Sequence, residues 1–104
     1  MKLWIDDVRP APDGYIWARS VNEAKREIKD LEFYSSAEGC EWAKITLIDI
    51  DHDAGDFGPP DYIAILDWLE ETGRNYPIRI HSMNVVGVEN MRRIIQRNGW
   101  TEVH

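Results

Sequence analysis

The stretch Lys44–Asp56, "KITLIDIDHDAGD", opens as a strand and closes as a cluster of charge. Residues 44–50, "KITLIDI", are aliphatic and β-branched and too few for a helix, which predicts a central strand buried on both faces. Asp49 lies inside this run, and Asp51, His52, Asp53 and Asp56 follow directly. Carboxylates packed this closely repel unless a cation or hydrogen-bond donors offset their charge. Clustering them beside a histidine costs stability unless a site requires it. Asp56 and Asp61 read as turn formers or helix caps, Asp49 is undecided, and Asp51 and Asp53 point to a site.

Outward from this stretch, short apolar runs alternate with segments of helical period. "KLWI" (2–5) reads as a strand closed by Asp6-Asp7, and "YIWAR" (15–19) as a second strand behind the turn "PAPDG". Ser20 and Glu23 match a capping box, and Val21, Ala24, Ile28 and Leu31 follow at helical spacing, predicting a helix over 21–31. Residues 32–43 read as loop with a short turn. Tyr62, Ile65, Leu66 and Leu69 form an i, i+3, i+4, i+7 stripe that begins near Asp61 and stops before Gly73. "PIRIHS" (77–82) is the next strand, Val88, Met91, Ile94 and Ile95 mark a last helix ending at Asn98-Gly99, and "WTEV" (100–103) suits a short edge strand.

This alternation predicts an α/β fold with right-handed crossovers and a mostly parallel sheet in the order 2-1-3-4, any fifth strand lying at the edge beside the fourth. The 104 residues suit one domain over 1–104. In open parallel sheets ligands bind beyond the carboxyl ends of the strands. The polar residues fall at those ends: Asp6-Asp7, Asp51-His52-Asp53 and His81-Ser82.

Composition narrows the function. The net charge of -7, from twelve basic and nineteen acidic residues, opposes broad phosphate attraction and excludes an extended nucleic-acid groove, while leaving room for a short RNA end or a small phosphorylated molecule. Asp6 and Asp7 interrupt the only signal-like segment and no run is long enough for a bilayer, so a cytoplasmic protein without a membrane partner is expected. Cys40 is the single cysteine, which rules out an intramolecular disulfide and suits a semi-buried structural residue. Nothing in the composition sets the oligomeric state.

An EF-hand fails on Ala54 and Pro60, which stand where the turn glycine and the bidentate glutamate belong. A haloacid-dehalogenase reading of "DID" fails because the motif is not on the first strand. A phosphoacceptor receiver matches in length, in the acidic pair after the first strand and in Ser82 after the fourth, but needs a lysine after its last strand. Lys44 is the last lysine of this chain. His52 and His81 end strands expected to be neighbours, where a pair can act as general base and general acid across a phosphodiester or as metal ligands beside carboxylates.

Three segments taken together, "DDVRP" (6–10), "DHDAG" (51–55) and "HSMNVVG" (81–87), resemble the cyclic-phosphate-processing receiver-like family of divergent receiver domains. Ala54 and Val85 depart from the family pattern, which has Leu and Pro there. The resemblance implies a three-layer receiver/flavodoxin-like fold and a phosphoesterase that opens or hydrolyses cyclic phosphates, either 2′,3′-cyclic ends on RNA or small cyclic nucleotides. In that reading His52 and His81 exchange protons, and Arg9, Ser82 and Asn84 bind the substrate phosphate. Asp6, Asp7, Asp51 and Asp53 orient the histidines or hold Mg²⁺ or Mn²⁺. A salt bridge from Arg9 to Asp6 or Asp7 is the competing expectation for that arginine. The competing expectation for the whole chain is a non-catalytic receiver-like regulatory or binding module.

Overall fold

A computed structural model describes residues 1–52 and 61–104. Strands β1 (Lys2–Ile5), β2 (Tyr15–Ala18), β3 (Leu47–Ile50) and β4 (Ile78–Ile80) form one parallel sheet in the order β2-β1-β3-β4. Helices α1 (Val21–Glu32), α2 (Ile63–Glu71) and α3 (Val85–Asn98) complete a receiver/flavodoxin-like α/β fold in the expected order. No helix among the described residues is long and apolar enough to cross a membrane.

Strand register sorts the side chains onto two unlike faces. Leu3, Ile5, Ala18, Ile48, Ile50 and Ile78 pack with Ala24, Ile28, Leu31, Ile65, Leu66, Leu69, Met91 and Ile95 in one apolar cluster. Each fully buried aliphatic side chain here contributes about 1.5–3 kcal/mol. On the other face Trp4 pairs in register with Trp17 and Asp49, and Asp49 with Arg79. β3 is buried along its whole length, as a central strand should be.

Several boundaries move for identifiable reasons. β3 begins at Leu47 because Lys44 still closes the 3₁₀ turn Glu41–Ala43, its N–H donating to Glu41 O. The expected loop 32–43 contains more order: a π-helical turn, Phe33–Ala37, continues α1. The Ser35 and Ser36 hydroxyls donate to Glu32 O, and such back-bonding distorts the regular ladder. α3 starts at Val85, earlier than its apolar stripe suggested, because Asn84 caps it by accepting from Gly87 N–H (2.9 Å). The C-terminal strand reduces to a single parallel bridge between Ile78 and Glu102, at the predicted edge beside β4.

β1 and β2 are joined by residues 6–14 without a helix. Asp6 Oδ1 accepts the N–H groups of Val8 (2.8 Å) and Arg9 (3.0 Å), folding the chain back through its own side chain. The aromatic face is closed partly by this segment, since Trp4 Nε1 donates to Arg9 O (2.8 Å) and Trp17 Nε1 to Asp6 O (2.6 Å).

Candidate active site

The sheet continues one residue beyond β1 and β3, because Asp6 N–H donates to Ala18 O and Asp51 N–H to Ile5 O. This carries acidic side chains into the interior: Asp6 and Asp49 are fully buried, and Asp7, Asp51 and His52 nearly so. Buried charge needs partners, and the partners reveal what each residue can do.

His81 is the centre of the arrangement. Its Nδ1 lies 2.6 Å from Asp49 Oδ1 and its Nε2 3.0 Å from Asp6 Oδ2. Its ring stacks on Trp4 at 3.7 Å between centroids and 7° between planes. Each ring nitrogen therefore faces a carboxylate oxygen, and ring position and orientation are both fixed. Asp49 Oδ2 also accepts from Arg79 (3.0 Å). Asp49, which sequence reasoning left undecided, is thereby joined to this candidate site. Its signal was a carboxylate in the middle of an apolar strand, a position only a partner can justify.

His52 has different surroundings. Its N–H donates to Asp51 Oδ1 (2.8 Å) and its carbonyl accepts from Tyr62 N–H (2.9 Å). Nε2 lies 3.8 Å from Asp61 Oδ2, so Asp61 is more than the turn former expected. The two histidines thus end neighbouring strands as expected, each with its own acidic partners.

The acidic pair after β1 divides its work. Asp6 engages both oxygens in hydrogen bonds, Oδ1 with two backbone N–H groups and Oδ2 with His81. Asp7 Oδ1 is buried without a hydrogen-bond donor among the described residues. The nearby Tyr62 hydroxyl donates to Arg19 O (3.0 Å). Burial raises the Tyr62 pKa, and the charges of Asp7, Asp6 and Asp51 add to the shift, so the phenol keeps its proton. Asp7 and Asp51 therefore suit a cation, but no group of three metal-ligating side chains exists among the described residues. Asp53 and Asp56 lie outside them.

At the rim, Arg9 is exposed and its guanidinium donates to His81 O (3.2 Å), in place of the salt bridge to Asp6 or Asp7 considered above. It ties the loop after β1 to the loop after β4. Ser82 Oγ accepts from Asn84 N–H (3.2 Å), and Asn84 caps α3. Both proposed phosphate contacts thus also build the turn into α3.

No curated protein and no solved structure gives a match to the chain. The model of one family, described as "Cyclic-phosphate processing Receiver domain", matches residues 1–97. That span contains all three segments that carried the resemblance, and the chain belongs to the cyclic-phosphate processing receiver domain family.

Proposed function

We propose that the domain is a phosphoesterase that binds a cyclic phosphate beyond the carboxyl ends of β1, β3 and β4 and opens the ring by hydrolysis. The observation that carries this reading is the buried Asp6–His81–Asp49 chain. Asp49 on Nδ1 orients the imidazole, which leaves Nε2 on the side of Asp6 as the nitrogen that trades its carboxylate for substrate. His52 takes the other half of the proton exchange. Water attacks phosphorus, one ring P–O bond breaks, one histidine accepts the proton of the water and the other protonates the leaving oxygen. Arg9, Ser82 and Asn84 would offset charge on the phosphoryl oxygens. Asp7 and Asp51 would hold Mg²⁺ or Mn²⁺, which supplies charge neutralisation at phosphate when bound.

The test is turnover of a panel of nucleoside 2′,3′-cyclic phosphates, 3′,5′-cyclic nucleotides and cyclic-phosphate-ended oligonucleotides, with and without Mg²⁺ or Mn²⁺. His52→Ala and His81→Ala should each lower turnover by about a hundredfold or more, and the double variant should lose little beyond the worse single one. One observation favours a second reading, a non-catalytic receiver-like module: both nitrogens of His81 already face carboxylates, as a purely structural bridge would require. Absence of turnover on every substrate, with His81→Ala reducing only the melting temperature, would select that module.

A further inference from the structure

Gly87 lies in the first turns of α3, inside a helix that runs on to Asn98. Its backbone is ordinary, since the glycines with positive φ among the described residues are Gly14, Gly39, Gly73 and Gly99. Glycine is a poor helix former because its backbone loses the most freedom on ordering. Position 87 therefore carries a residue that the helix itself disfavours.

Space accounts for it. A Cβ at Gly87 would stand 2.3 Å from His52 Cγ, 2.5 Å from Nδ1 and 2.6 Å from Cδ2. Three ring atoms at nearly equal distance mean that the imidazole lies flat against the glycine. The ring cannot easily yield, because His52 is only 8% exposed and its backbone is tied on one side to Asp51 and on the other to Tyr62.

We infer that Gly87 is a positioning residue for His52. The missing side chain forms a seat that sets the plane of the imidazole beyond the end of β3 and joins it to the turn of α3 that Asn84 caps. The inference rests on the reading that His52 moves a proton in the reaction. Any side chain at position 87 would displace the ring by roughly an ångström, a misplacement that typically costs about a hundredfold in rate.

The test uses Gly87→Ala, His52→Ala and the double variant, compared by thermal melting, by the ring resonances of His52 in NMR and by turnover of a nucleoside 2′,3′-cyclic phosphate. In the wild-type background Gly87→Ala should lower the melting temperature, shift the His52 ring resonances and reduce kcat by about tenfold to a hundredfold, with a smaller change in KM. In the His52→Ala background the same substitution should raise the melting temperature, because alanine is the better helix former once the ring is gone, and leave residual turnover unchanged. Equal losses of melting temperature in both backgrounds, or unshifted His52 resonances in Gly87→Ala, would overturn the seat. If Gly87→Ala does not fold, a folded double variant supports the seat and an unfolded one overturns it. A seat confirmed by melting and NMR with turnover unaffected in Gly87→Ala would overturn the positioning role. Should wild type process no cyclic phosphate, the proposed function fails and the positioning role with it, while the melting and NMR comparison still decides whether the seat exists.

Discussion

The two ends of the sheet both gather charge, half-buried at one and buried at the other, and they handle it differently. At the amino end, Glu32 receives Arg74 in a two-pronged pair (2.9–3.1 Å) and the Tyr76 hydroxyl as well. Burial pushes the Glu32 carboxyl upward, but the hydrogen bonds from Arg74 and Tyr76 and the charge of Arg74 outweigh it and hold its pKa below the usual value. At the carboxyl end, Asp6, Asp7, Asp49 and Asp51 are all buried, His81 bridges Asp6 and Asp49, Arg79 donates to Asp49, and one oxygen of Asp7 has no donor among the described residues. The amino-end cluster neutralises itself; the carboxyl-end cluster buries four carboxylates against fewer cationic partners. A cavity of about 450 Å³ lined by Glu32, Lys44, Tyr76 and Pro77 opens at the self-neutralised end.

The strongest way to break this contrast is to remove Asp49. Asp49→Ala leaves His81 and Arg79 without their shared carboxylate, and breaking a buried charged pair by deleting one partner costs about 3–5 kcal/mol. Urea unfolding should show a loss in that range together with collapse of any cyclic-phosphate turnover; a loss under about 1 kcal/mol would mean that the cluster does not hold the sheet end together. At the opposite end, Arg74→Ala should cost about 1–2 kcal/mol, less because Arg74 and Glu32 are partly solvated, and should leave turnover at the wild-type rate. Reduced turnover in folded Arg74→Ala would show that the two ends are coupled.

Asp7→Asn inverts the sign. A buried carboxylate oxygen without a donor destabilises the apo protein, so the neutral amide should raise stability by about 1 kcal/mol in chelator while weakening any increase in melting temperature that Mg²⁺ gives wild type. Identical melting curves for wild type with metal and with chelator would remove the cation from the mechanism. The smallest effect concerns pH. Because the Glu32 pKa is lowered in the folded state, its contribution is complete above the unfolded value of about 4.3 and is lost as pH falls through the folded value. Glu32→Gln should therefore flatten the acid side of the stability profile between pH 5 and about 3 and leave neutral-pH turnover alone.

Much of the fold was legible in local pattern. The period-2 and period-3.6 runs marked four strands and three helices, and chain order with crossover rules placed β1 and β3 at the centre. The polar residues at strand ends were visible as Asp6-Asp7, Asp51-His52 and His81-Ser82 because these pairs interrupt apolar runs. The division of labour among them was not legible. The partners of Asp6 are the loop it folds and His81, 75 residues away. Asp49 looked like an irregularity in a strand because its reason for being there, His81, is 32 residues further along. Gly87 stood in one of the segments that carried the resemblance, but only the imidazole pressed against it explains why no side chain is there. Sequence by itself determined the elements and their order, since hydrophobic period and capping act within a few residues. Tertiary structure alone decided which acid faces which base, because hydrogen bonding is set by ångström distances between groups far apart in the chain.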